Sequence, residues 1–212
     1  GKGGGMMFGY GSSPTIYNLI AKNNSAGAGG GVHSNGDDVP GPHPVLIGAS
    51  IYGNSAENGG GAYAHEASIT FIESKIYENS SSNNGGGYYG ASASYCYLDN
   101  VQINNNSSLN EGGAIWKSYR GNLEVNNCTI DNNNSSVGGG IFCDQTSLSN
   151  FVIPIILNSI ISNNSNYGLY HDSGNSSIVK HCNFFNNGTN FNTGDEWLGN
   201  SCLLYTSPSP RD

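Results

Sequence analysis

Positive charge is scarce in this sequence. Lys and Arg together number 7 in 212 residues, against 15 Asp and Glu, for a formal net charge of −8. A surface so poor in cations is ill suited to neutralising phosphates, which counts against nucleic acid and an anionic membrane as partners. Long apolar runs are missing too. No stretch approaches the roughly 18 residues of a membrane-crossing helix, so no transmembrane segment is expected. Hydrophobic residues are 36% and charged residues 10%, too few for a thick globular core but enough for a fold whose units bury a few side chains against neighbours. Cysteine is sparse: Cys96, Cys128, Cys143 and Cys182, with Cys202 in an atypical tail. Cys128 and Cys182 share a repeat position two units apart, too far for Cα atoms that a disulfide holds within about 7 Å. The thiols read as small buried hydrophobes rather than a disulfide framework or metal site.

What the chain has in abundance is glycine, 32 residues, set in a repeat. A glycine triplet followed by an apolar and then usually an aromatic residue begins at residues 3, 29, 59, 85, 112 and 138 and decays at 166. The intervals are 26, 30, 26, 27, 26 and 28 residues. A second word, an apolar residue with asparagine three places later, alternates with the first. It reads Ile20/Asn23, Ile51/Asn54, Ile76/Asn79, Ile103/Asn106, Ile130/Asn133, Ile161/Asn164 and Phe184/Asn187. A period of 20–50 residues marks a solenoid, propeller or array.

Aligning on the second word exposes columns. Five residues before its apolar member stand Leu46, Phe71, Leu98, Val125, Ile156 and Val179, and two before it Ala49, Ser74, Val101, Cys128, Ser159 and Cys182. The step from −5 to −2 breaks strict alternation and predicts a bend between two short strands. A third strand follows the glycine word, with Val32, Ala62, Tyr88, Ile115, Ile141 and Leu169 in one column. Three strands with bends, repeated seven times, predict an all-β, right-handed parallel β-helix about 34 Å long at the usual strand spacing. Glycine at a coil corner permits positive φ and close backbone approach. The asparagines Asn23, Asn54, Asn79, Asn106, Asn133, Asn164 and Asn187 are expected to form an amide ladder along the axis. Asn-x-Ser/Thr words such as those at Asn79 and Asn187 follow from composition and imply no glycosylation.

The paired words Gly112-Gly113-Ala114-Ile115 and Phe184-Phe185-Asn186-Asn187 resemble the glycine-glycine-alanine-isoleucine and phenylalanine-x-x-asparagine repeats of the polymorphic outer-membrane proteins. The likeness covers nearly all of residues 1–201, which read as one β-helix domain cut at both ends. It implies a passenger-like surface domain, adhesive or structural, located outside the cell or on its surface. The tail CLLYTSPSPRD at residues 202–212 stands outside the repeat and resembles the translation of a transposase-based sequencing adaptor. That marks the chain as a gene fragment from shotgun data.

The chemistry is thin. β-Helix enzymes place acids with Lys, Arg or His in a cleft, yet outside the tail Lys and Arg occur only at 2, 22, 75, 117, 120 and 180. Six positions after each glycine word, the column reads Asn35, His65, Ala91, Ser118, Asp144 and Asp172. Asp144 and Asp172 on adjacent coils, with His171 beside them, are the candidate acid/base or Ca2+ site; two solvated strand-end carboxylates are the simpler alternative. Asp37-Asp38, in a proline-rich insertion, read first as turn formers. The column His33, Tyr63, Tyr89, Trp116, Phe142 and Tyr170 is the candidate binding surface: alternation turns it outward, where flat rings suit sugars or a protein partner. The alternative is that it packs beneath a loop or points inward. Three functions compete: a non-enzymatic surface module contacting glycans or surface proteins, a fragment of a polysaccharide lyase or glycoside hydrolase, and a carbohydrate-binding solenoid.

Overall fold

The computed structural model describes residues 1–9, 11–36, 41–118, 120–144, 154–172 and 177–192. The pair Asp37-Asp38 and the tail 202–212 lie outside the described residues. Every strand pairing is parallel and joins one coil to the next. One coil shows the plan. After the glycine word at 59–61, Ala62–His65 enters an eight-stranded first sheet, Ser68–Ile72 a seven-stranded second sheet and Lys75–Tyr77 a seven-stranded third sheet. The seven strands of the second and third sheets span six full turns, and the eight of the first sheet span seven.

The two predicted columns on either side of the bend both face inward. Leu46, Phe71, Leu98, Val125 and Ile156 are fully buried in the second sheet, and Ala49, Ser74, Val101, Cys128 and Ser159 are buried beside the third. The bend lies between them, at a residue with positive φ: Asn18, Gly48, Glu73, Asn100, Asn127, Asn158 or His181. A second positive-φ column follows the third sheet, at Asn23, Gly53, Glu78, Asn105, Asn132, Asn163 and Asn186. Asparagine tolerates this left-handed region and glycine adopts it without a Cβ penalty, whereas glutamate does so at a cost. Glu78→Asn should therefore stabilise the chain by about 0.5 kcal/mol. A urea unfolding midpoint that does not rise would contradict this.

The structure departs from the sequence reading in two places. First, a fourth short sheet (Ser25–Ala28, Ser55–Asn58, Ser80–Ser81, Ser107–Ser108) follows the asparagine column in the earlier coils, so these carry four strands rather than three. Second, the first coil is shifted by one residue. Ala21, not Ile20, pairs with Ile51. Ala21 is 4% exposed and Ile20 65%. The ladder therefore begins at Asn24, and Asn23 is the left-handed corner residue before it.

From there the ladder runs through Asn54, Asn79, Asn106, Asn133 and Asn164 to Asn187. Each Oδ1 accepts both the backbone N–H and the Nδ2–H of the asparagine one coil earlier, at 2.9–3.1 Å. Each Nδ2 spends its second hydrogen on a carbonyl of the preceding coil, as Asn106 does on Ile76 at 2.9 Å. The last rung, Asn187, donates to Asn190 Oδ1 at 3.0 Å. Beside it the glycine word is packed to backbone contact. A Cβ on Gly60 would lie 2.3 Å from the Ser80 carbonyl oxygen, and one on Gly87 would lie 2.6 Å from that of Ala114.

Candidate functional site

The aromatic column stands on the first sheet. Its neighbours Val32, Ala62, Tyr88, Ile115 and Ile141 are fully buried, so alternation turns His33, Tyr63, Tyr89, Trp116, Phe142 and Tyr170 to the outer side. In-register pairing puts each residue directly over the next. The rings stack face to face, with centroids 4.8, 5.1, 4.2, 6.5 and 5.2 Å apart and planes within 12° of parallel. Stacking along the axis turns the faces toward each other, so only ring edges point away from the core. His33 is 1% exposed, Trp116 5% and Phe142 3%. A flat ligand approaching from outside would meet ring edges, not a platform.

The first glycine of each word makes this possible. It has φ near 65°, and a Cβ there would lie 2.7 Å from the Cβ of Tyr89 at Gly85 and of Trp116 at Gly112. The turn thus closes against the root of its own ring.

The acidic candidates flank this stack. The Asp144 backbone N–H donates to the Lys117 carbonyl at 2.8 Å and that of Asp172 to the Cys143 carbonyl at 3.1 Å, so both stand at strand ends on adjacent coils. Asp144 is half-buried and Asp172 exposed. His171 does not join them. It faces inward, buried, with Nε2 against the Ser177 hydroxyl, and burial pulls its imidazole down to about 4. Adjacent residues on one strand point to opposite faces, which separates His171 from Asp172.

A residue that sequence reasoning passed over joins the acids instead. Glu111, just before Gly112, accepts the Trp116 indole N–H on Oε2 at 3.0 Å. Burial raises its carboxyl above the usual range. The indole hydrogen bond lowers it, and the charges of Asp144 and Asp172 raise it further. Three carboxylates thus share one field beside Tyr89 and Trp116. The only hint in the sequence is the five-residue interval from Glu111 to Trp116, which the tight glycine turn folds back on itself.

The four described cysteines are free and buried. Burial pushes the thiols of Cys96 and Cys128 up to about 12 and about 11, which makes them poor nucleophiles. Among the described residues no group of three or more His, Cys, Asp and Glu side chains is arranged to hold a metal ion, and no helix is long and apolar enough to cross a membrane.

No curated protein and no solved structure matched this chain. The family model for the right-handed beta helix region matches residues 30–209. That span covers most of the stacked coils and both repeat words, and the chain belongs to the right-handed β-helix family.

Proposed function

We propose that this chain is a non-enzymatic extracellular or cell-surface β-helix module, structural or adhesive in role. The observation that carries the reading is where the repeated residues are spent. The asparagine amides bond to one another and the aromatic rings stack on one another, so both columns serve cohesion between coils. The likeness of the two words to the polymorphic outer-membrane proteins supports a passenger-like placement. Glycans or proteins of a neighbouring or host surface would then meet the outer faces, where Tyr17, Ile20 and Leu109 are among the exposed apolar side chains.

A second reading rests on Glu111. A carboxyl that burial raises above the usual range, beside two further carboxyl groups, is the kind of group a general acid needs, so a fragment of a polysaccharide-active enzyme, with or without Ca2+ at Asp144 and Asp172, is the alternative. One experiment separates the two. The chain is incubated with a panel of neutral and acidic polysaccharides, with and without Ca2+, alongside Glu111→Gln and Asp144→Asn. The module reading expects no new reducing ends and no unsaturated products. Turnover by the parent chain that Glu111→Gln abolishes would replace it with the enzyme reading.

A further inference from the structure

Lys117 lies where the fold calls for an apolar side chain. Alternation along Ile115–Lys117 turns Trp116 outward and the two flanking residues inward. Lys117 is 0% exposed. Its register partners in the coils on either side are Gly90 and Cys143. Gly90 makes the room: a Cβ there would lie 2.8 Å from Lys117 Cδ, 2.8 Å from Ser94 Oγ and 3.0 Å from Tyr88 Cε1. The amine donates to the Ser118 carbonyl at 3.0 Å. Among the described residues, the titratable groups facing it include the thiols of Cys143 and Cys96 and the phenol of Tyr88. Burial holds the phenol and the Cys96 thiol protonated near neutral pH. An ammonium removed from water into such surroundings is costly, and its neutral form is not.

We infer that Lys117 makes its coil a proton-gated weak point of the rod, which parts from its neighbours more readily when the amine is charged than when it is neutral. Desolvation lowers the amine from 10.5 to about 8, opposed by the two thiols. The native state therefore holds this proton less tightly than the unfolded chain. Below pH 8 both states are charged and the cost is complete. Between about pH 8 and 10.5 the unfolded chain binds more protons, and stability rises with pH. That window is worth roughly 300-fold in the opening equilibrium. The raised thiols of Cys96 and Cys128 act in the opposite sense above their ordinary range, so the test is a difference.

The chain and its Lys117→Met variant are unfolded in urea at pH 7 and pH 10. The expected result is a variant more stable at pH 7, by up to roughly 300-fold in the unfolding constant, with the gap closing at pH 10. A gap of the same size at both values would overturn the inference, because it would report packing alone. Native-state labelling of Cys143 in the parent chain gives a second measurement that needs no variant. Divided by the rate of a free model thiol, the Cys143 rate should fall at least tenfold between pH 7.5 and 9.5. A ratio that stays level or rises would overturn it as well.

Discussion

Asn106→Ala will cost about 4 kcal/mol of folding stability, although it removes only one short polar side chain. Asn106 Oδ1 accepts the Asn79 backbone N–H at 3.0 Å and its Nδ2–H at 2.9 Å, while Asn106 Nδ2 serves the Ile76 carbonyl and Asn133 Oδ1 at 2.9 and 3.0 Å. Truncation leaves the Asn79 N–H, one Asn79 amide hydrogen and the Ile76 carbonyl buried without those partners, each at about 1–3 kcal/mol. Asn106→Asp separates shape from chemistry. A carboxylate can accept from Asn79 but faces two oxygens with nothing to donate. Burial beside them raises its folded-state pKa above the unfolded value, so the lost stability returns as pH falls through that raised value. Urea unfolding at pH 7 and pH 4 reads both effects. A fall below 1 kcal/mol for the alanine variant would mean that the ladder is decorative.

Trp116→Ala will cost about 3–5 kcal/mol. The indole is 5% exposed, lies 4.2 Å from the Tyr89 ring and 6.5 Å from Phe142, and donates to Glu111. Its removal opens a gap in the middle of a six-ring stack and takes the donor from a half-buried carboxylate. Trp116→Phe keeps one ring in the stack and loses the N–H with the second ring, so it should recover much of the stability. A glycan array probed with both variants decides whether the column also binds. Sugar binding lost in Trp116→Phe, with melting unchanged, would give the rings a ligand. Equal binding by Trp116→Phe and the parent chain would leave them a spine.

The coil architecture was legible because parallel in-register stacking makes each coil repeat the same word at the same place: glycine where backbones touch, asparagine where amides stack, Ile, Val or Leu in the dry slots. The first coil misled for the same reason. Ile20 outranks Ala21 in hydropathy, yet the inward slot at that corner is filled by Ala21. The doublets settle it. In Asn105-Asn106, Asn132-Asn133, Asn163-Asn164 and Asn186-Asn187 the first asparagine takes positive φ and the second joins the ladder, and Asn23-Asn24 obeys the same rule. The fourth sheet was hidden because serine is a poor strand former and its strands are as short as two residues. Outward placement of the aromatic column followed from alternation; stacking of its faces required the register. Glu111 occupies a position held by Ala28, Asn58, Asn84 and Val137 in other coils, so no column marked it, and only the folded turn brings it to Trp116.

The ladder also bears on where such a chain can be made. Asn79, Asn106, Asn133 and Asn187 each open an Asn-x-Ser/Thr triplet, and their side-chain amides are the rungs. In a secretory pathway that attaches glycans to the nascent chain, the transferase meets these asparagines before any coil has closed. A sugar on Nδ2 takes one of its two hydrogens and brings a bulky group to a slot with no volume for it. Each transfer would strand a coil that can no longer seat on its neighbour. The finished rod buries Asn79, Asn106 and Asn133 and leaves Asn187, at the last rung, half-buried, so a host that adds sugars only after folding, or not at all, leaves the inner rungs intact. The order of modification and stacking, more than the triplets themselves, decides whether the coils can seat.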